Sequence, residues 1–419
     1  MKYSGIKWIG TIPDNWEVRK VKQCFYISKE QAHEENPTIL SLARAGVKVR
    51  DISNNEGQLA ASYDNYNPVM PGDLLLNPMD LYSGANCSLS EVSGVISPAY
   101  INLRKKVELN PKFYDYYFKT QYWAMAMFAH GKGVSFDNRW TMNSETLLNY
   151  YLPFPTPDAQ DKIVDLINKK TAEIDSLIEI ENQQIQKLKE YKQAVITEAV
   201  TKGLDKNAVM KDSGVEWIGK MPNNWTRIKV NSLFSEIGSG TTPKGENYYI
   251  DGSVNWIQSG DINGGDLFEC STQVNDEAIK ECSALKVYKA PYLIMAMYGG
   301  SVGHLSVSHI DACCNQACCV MREPNCDFDF AFYSLIAVKD YLLKSAIGGG
   351  QPNISQTIIK QLWFCKPSIE EQKKISKYLN KKNAEIEQLI EIKQKKIDDL
   401  NEYKKSLIYE YVTGKKEVC

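Results

Sequence analysis

A chain that states the same thing twice must build one frame twice, and this one does so over long stretches. The segment Ser4-Gly5-Ile6-Lys7-Trp8-Ile9-Gly10-Thr11-Ile12-Pro13-Asp14-Asn15-Trp16 returns as Ser213-Gly214-Val215-Glu216-Trp217-Ile218-Gly219-Lys220-Met221-Pro222-Asn223-Asn224-Trp225, 209 positions on. A second repeat is longer: Asn168 to Thr201 aligns without a gap on Asn380 to Thr413, 212 positions on, with 19 of 34 residues identical. Self-similarity at a fixed long period marks a duplicated architecture. Between the matched segments lie two stretches, roughly 20–155 and 230–365, that share only an outline. Pro71–Leu76 corresponds loosely to Ala290–Met295, and Ile96–Ile101 to Cys314–Cys319. A constant frame around divergent inserts predicts one scaffold holding two unlike recognition surfaces.

The two kinds of segment differ in periodicity. The inserts carry short apolar runs broken by Gly, Pro and Asn, such as Val69–Leu76, Gly94–Leu103, Val254–Gln258 and Tyr292–Tyr298, which read as strands and turns with a few helices. The repeated segments after Pro155 and Pro367 instead place apolar residues at alternating steps of three and four. In the first copy the seam runs through Val164, Ile167, Thr171, Ile174, Ile178, Glu181, Ile185, Leu188, Lys192, Val195 and Ala199. In the second it runs through Leu379, Asn383, Ile386, Ile390, Lys393, Ile397, Leu400, Lys404, Leu407 and Tyr411. A seam so narrow calls for a partner helix, and two matching helices in one chain supply it. About 36 residues at 1.5 Å each span roughly 54 Å, more than the roughly 34 Å of a DNA turn. Glu181 and Lys393 are central equivalents, which an antiparallel pair would bring opposite each other. The expected fold is α+β: two similar mixed α/β domains, residues 1–155 and 207–365, separated by helical spacers at 156–206 and 366–419 that form an antiparallel coiled coil with pseudo-twofold symmetry.

Composition narrows function without naming it. At 419 residues the chain is long enough for two or three domains. A formal net charge of −2 gives no global basic field, so a nucleic-acid partner would be held by local patches. The opening residues Met1–Trp8 contain no apolar run and no window reaches membrane-spanning length, which predicts a cytoplasmic protein. The 11 cysteines are irregularly spaced and odd in number, favouring reduced thiols over a disulfide framework.

Several patterns imitate catalytic motifs and fail on context. Gly299-Gly300-Ser301-Val302-Gly303 fits a nucleophile elbow, but the next residues alternate like a strand, and no acid lies between Ser301 and the last histidine, His309. Asn77-Pro78-Met79-Asp80 resembles an amino-methyltransferase motif with its aromatic ring replaced by Asp80, and no glycine-rich cofactor loop follows a strand. The cysteines at 313, 314, 318, 319 and 326 lack the spacing of a zinc site, so no metal ligands are assigned. What remains is polar, basic and aromatic material on loops, of the types that read base edges and hold phosphates. In the first insert these are Arg44, Lys48, Arg50, Asn77, Tyr82, Ser83, Lys132, Ser135, Asn138 and Arg139. In the second they are Thr241, Thr242, Lys244, Asn247, Tyr248, Gln258, Ser259, Asn263, Gln351 and Asn353.

These residues carry a family resemblance across nearly the whole chain. The doubled frame Trp8–Trp16 and Trp217–Trp225, the stretch Gly238–Pro243 leading to Trp256–Ile262, and Gln351–Ser355 before Glu371-Gln372 resemble the specificity subunit of type I restriction–modification systems. The first insert departs from the pattern, with Asn138–Met142 where the second has Gln351–Ile354. The resemblance implies a non-catalytic subunit with two target-recognition domains, each reading one half of an asymmetric, bipartite double-stranded DNA site. It further implies a coiled coil that sets the spacer, two methylation subunits bound to the scaffold, and motor–nuclease subunits in the full complex. No cofactor is expected in this chain; S-adenosylmethionine, ATP and Mg²⁺ would belong to those partners. The competing reading is a two-module protein–protein adaptor without DNA binding.

Overall fold

The computed structural model describes every residue except 32–36, 52–61, 80, 82–86, 134–139, 346–352 and 419. The four sequential parts regroup into two units, Met1–Glu181 with Gln394–Cys419, and Asn182–Lys393. The first unit is therefore discontinuous and the second continuous, and each takes part of one long helix and the opposite part of the other.

The long helices are Pro157–Lys202, 46 residues, and Ile369–Val412, 44 residues. Both exceed the roughly 36 residues that the seam suggests: the first begins at Pro157 itself and the second at Ile369, two residues after Pro367. Proline costs nothing in the first turn, where the amide has no intrahelical acceptor. The pairing is antiparallel inside each unit. In the first, Asp175 pairs with Lys404 at 2.6 Å and Glu181 with Lys396 at 2.6 Å, so the position rises on one helix as it falls on the other. In the second, Lys393 donates to Gln184 and Lys192 pairs with Glu387 at 2.5 Å. Asp175 and Glu387, Lys192 and Lys404, Glu181 and Lys393, Gln184 and Lys396 are all equivalents at the 212-residue offset. The central seam polars are thus each held by a residue one turn away on the facing helix.

The seam residues are inward as the periodicity predicts. Ile167, Ile174, Glu181 and Ile185 of the first helix and Ile386 and Ile397 of the second are buried, while Ile178, Leu188, Ile390, Lys393 and Leu400 are half-buried. Ile163, Val164 and Ile167 pack with Leu407, Ile408, Tyr411 and Val412 against Trp16, Phe113 and Tyr114 of the first unit. Ile196, Ala199 and Val200 pack with Ile375 and Leu379 against Trp225, Phe330 and Tyr333 of the second.

The frame repeats down to single hydrogen bonds. Glu17–Lys20 pairs antiparallel with Tyr151–Phe154, as Thr226–Lys229 pairs with Trp363–Lys366. A shorter helix docks on the long one in each unit, Pro111–Trp123 capped by Asn110 and Phe328–Ala337 capped by Asp327. Gln160 Oε1 accepts from the Asn110 amide and Gln372 Oε1 from the Asp327 amide, both at 2.8 Å. Tyr116 donates to Asn168 and Tyr333 to Asn380, both at 2.6 Å.

The inserts are built on antiparallel sheets. In the first unit the order is Phe25–Ile27, Ile101–Lys105, Leu74–Leu76, Cys87–Leu89. In the second it is Phe234–Gly238, Cys318–Pro324, Tyr292–Ala296, Leu305–Ser308, with Asp266–Leu267 added parallel at the edge. The strand Leu305–Ser308 directly follows the elbow-like glycines, so no helix opens there. A second, smaller sheet in this unit pairs Val254–Ile257 parallel with Ala312–Cys314 and antiparallel with Gln273–Val274.

Candidate nucleic-acid interface

Parallel strands end their chains on the same side, and in the second unit that side collects polar groups. Val254–Ile257 runs into Gln258, and its parallel neighbour Ala312–Cys314 into Asn315 and Gln316. The Asn315 amide donates to the Ile257 carbonyl at 3.0 Å, which fixes the two corners together. Gln258 is oriented from both ends: its amide donates to Asp261 Oδ2 at 2.8 Å and its Nε2 to Thr272 at 3.0 Å.

The loop Ser239–Thr242 closes over this corner. Its approach needs Gly240, because a Cβ there would lie 1.7 Å from the Cys314 carbonyl oxygen. The seated loop accepts from Tyr288 Oη at Ser239 O, 2.8 Å, and from the buried Trp256 indole at Thr241 O, 3.1 Å. Thr242 then donates to Gln316 Oε1 at 2.7 Å, and Tyr298 donates to the Gln316 carbonyl at 2.6 Å. Tyr298 forms an isolated bridge with Asn353, which is exposed. Of the candidates in this insert, Thr241, Thr242, Gln258 and Asn353 therefore gather around one corner. Asn315, Gln316 and Tyr298 join them, unmarked in the sequence because Asn315 and Gln316 sit inside the cysteine-rich run.

The remaining candidates of the second insert lie on neighbouring loops. Lys244, Asn247 and Asn263 are exposed and Ser259 is half-buried. The Tyr248 hydroxyl is bound to Glu281 at 2.5 Å, a hydrogen bond that pushes the phenol up to about 12. Gln351 lies outside the described residues.

In the first unit Arg44 occupies the turn of the hairpin Leu40–Ala43/Gly46–Val49, with Lys48 exposed on its second strand and Arg50 just beyond it. Lys132 is exposed and bridges Thr141. Asn77 is placed differently from the sequence expectation: it is buried, its side chain accepts from the Met79 amide at 3.0 Å and its carbonyl from Tyr122 at 2.7 Å, so it shapes a turn instead of facing outward. Tyr82, Ser83, Ser135, Asn138 and Arg139 lie outside the described residues. A groove lined by Lys29, Gln31, Asn65, Pro98 and Tyr100 was not marked in the sequence either. The two inserts also match where their loops re-enter the frame. Met142 donates to the Pro78 carbonyl at 2.9 Å and Ile354 to the Met297 carbonyl at 2.8 Å.

The cysteines have the chemistry of core residues. Cys313, Cys314, Cys318 and Cys319 are buried, and desolvation pushes Cys313 and Cys319 up to about 12. Cys314 is raised further, first by its hydrogen bond with Cys318 and then by burial. Thiols held protonated in this way are poor nucleophiles and poor metal ligands at neutral pH. Among the described residues no helix is long and apolar enough to cross a membrane.

Comparisons with known proteins agree with this geometry. Residues 222–398 match the type I restriction modification DNA specificity domain. The chain is 25% identical to the MjaVIII specificity subunit of Methanocaldococcus jannaschii, over 96% of this chain and 93% of that protein. It is 23% identical to the EcoBI specificity subunit of Escherichia coli, over 78% of this chain and 71% of that protein. Among solved structures, one from a study of assembly and conformational transition of the type I R-M system superposes with a TM-score of 0.68, at 14% identity, covering 97% of this chain and all of that one. The HsdS subunit from Thermoanaerobacter tengcongensis gives a TM-score of 0.50, also at 14% identity, covering 97% of this chain and 98% of that one. The fold is thus shared with a chain of a type I R-M system over 97% of this sequence, and the second half of the chain is similar to the type I restriction modification DNA specificity domain.

Proposed function

We propose that this chain reads DNA sequence for a type I restriction–modification complex, each insert contacting one half of an asymmetric, bipartite site while the paired helices set the gap. The carrying observation is one frame, repeated to the level of Gln160/Gln372 and Tyr116/Tyr333, holding inserts whose exposed corners differ in chemistry. Catalysis, and with it S-adenosylmethionine, ATP and Mg²⁺, falls to partner subunits in this reading.

The helices also support the recruitment of two copies of one partner. Outside the seam, Leu177 and Leu389 are 46% and 47% exposed, and Ile180 with Ile392 and Tyr191 with Tyr403 are likewise exposed. Each pair is equivalent at the 212-residue offset, so the same apolar patch is presented by each repeat. Repeated exposed apolar positions on otherwise charged helices suit protein contact. The inserts themselves carry little net positive charge, about +1 over 1–154 and −4 over 207–365, so bound methylation subunits would contribute much of the phosphate grip.

Exchanging residues 230–365 for the corresponding insert of a relative tests the reading. One half of the methylated site should change while the other half and the gap persist. An unchanged target would favour the adaptor reading. Ile180→Glu and Ile392→Glu should each remove one bound methylation subunit, measured as the mass of the purified complex. Full occupancy in the double variant would refute that surface.

A further inference from the structure

The corner at Gln316 has a feature that the family reading does not supply. Gln316 is exposed at the turn between Ala312–Cys314 and Cys318–Pro324, yet its position is fixed from two sides. Tyr298 holds its backbone carbonyl at 2.6 Å and Thr242 donates to its side-chain oxygen at 2.7 Å. A glutamine amide has one acceptor oxygen and one donor nitrogen. With the oxygen engaged by Thr242, the Nε2 group of this exposed side chain is left as a donor without a partner among the described residues.

We propose that Gln316 is a specificity-determining residue of the second unit, presenting its side-chain N–H to an acceptor on a base edge. This rests on the DNA-reading function proposed above. Base-edge acceptors in the major groove are the N7 and O6 atoms of purines and O4 of thymine, and a donor held in one orientation distinguishes them from the exocyclic amino donors of adenine and cytosine. Three features suit this role. The side chain is pre-oriented, so little rotamer freedom is lost on contact. Thr242 and Asn353 flank it on the same corner. The loosely corresponding position in the first insert is Pro98, which has no donor at all, as expected where two inserts read different sequences.

The test is methylation mapping of cells carrying the intact system with Gln316→Ala, Gln316→Glu or Thr242→Val. Gln316→Glu replaces the donor by an acceptor and should lower modification of the parental site roughly tenfold relative to a site altered at one base pair. Gln316→Ala should relax selectivity at that same base pair, and Thr242→Val, which frees the side chain to turn over, should relax it more weakly. The half read by the first unit and the gap should not change in any variant, which also certifies that the chain folds and assembles. An unchanged motif with unchanged extent in both Gln316 variants would overturn the proposal alone. A parental strain without any gapped motif would overturn the DNA-reading function, and the proposal with it.

Discussion

Replacing Gly240 by alanine tests whether the polar corner depends on the seated loop. The new Cβ would sit 1.7 Å from the Cys314 carbonyl oxygen and 2.6 Å from its carbon. Both atoms belong to a strand paired with Val254–Ile257, so the loop must yield and not the sheet. Lifting it forfeits the hydrogen bonds from Tyr288, from Trp256 and from Thr242 to Gln316. At about 1 kcal/mol each this is about 3 kcal/mol, and the buried Trp256 indole left without an acceptor adds to it. An opening made easier by about 3 kcal/mol raises local amide exchange roughly a hundredfold. Hydrogen–deuterium exchange across residues 234–258 reads this directly. Gly260→Ala is the control, since a Cβ there meets no atom within 4 Å, and its effect should stay within about 0.5 kcal/mol. Exchange in Gly240→Ala equal to that of the parent would refute the account of how the corner is held.

Other consequences concern the frame and the sheet. Gly414, with φ +70°, ends the second long helix against the first frame, where a Cβ would lie 2.4 Å from Pro13 Cδ and 3.0 Å from the Trp16 ring. Gly414→Ala should destabilise the first unit by about 2 kcal/mol, and an unchanged melting temperature would count against this docking. Glu236 is held below the usual glutamate range, chiefly by its hydrogen bond from Lys286, with Arg322 assisting at 2.8 Å and burial opposing. Its folded pKa lies below the unfolded one, so its contribution is present above the unfolded pKa and lost as pH falls through the folded one. Glu236→Gln should therefore flatten the acid side of the stability profile; an identical slope would show that the pair contributes nothing. Alkylation of the native protein at pH 8 should spare Cys313, Cys314, Cys318 and Cys319, and mass spectrometry finding them labelled as fast as half-exposed Cys282 would contradict their placement.

What the sequence made legible follows from the range of each signal. Seam positions such as Ile167 and Ile397 recur every three or four residues, a local pattern, and the duplication made the pairing of the two helices readable as well. The shorter docking helices escaped notice because Tyr116 and Tyr333 face Asn168 and Asn380 across some fifty residues of chain. The candidate surface was harder still. Gln316 becomes part of it only because two parallel strands end together and Gly240 lets a loop close over them. Asn77, chosen for its polar chemistry beside a strand, proves to serve a turn within the core. Residue type suggests which groups could contact DNA, whereas tertiary packing decides which of them face outward.

We propose that two unlike readers are held a set distance apart by a helical pair that the chain builds from its own repeats. Single-molecule mapping of modified bases in the genome of cells carrying this protein with its partner subunits measures it most directly. The account predicts one asymmetric motif made of two specific parts around a gap of constant length, and equal insertions at equivalent points of both long helices should lengthen that gap. A continuous or palindromic motif, or a gap unmoved by those insertions, would contradict it.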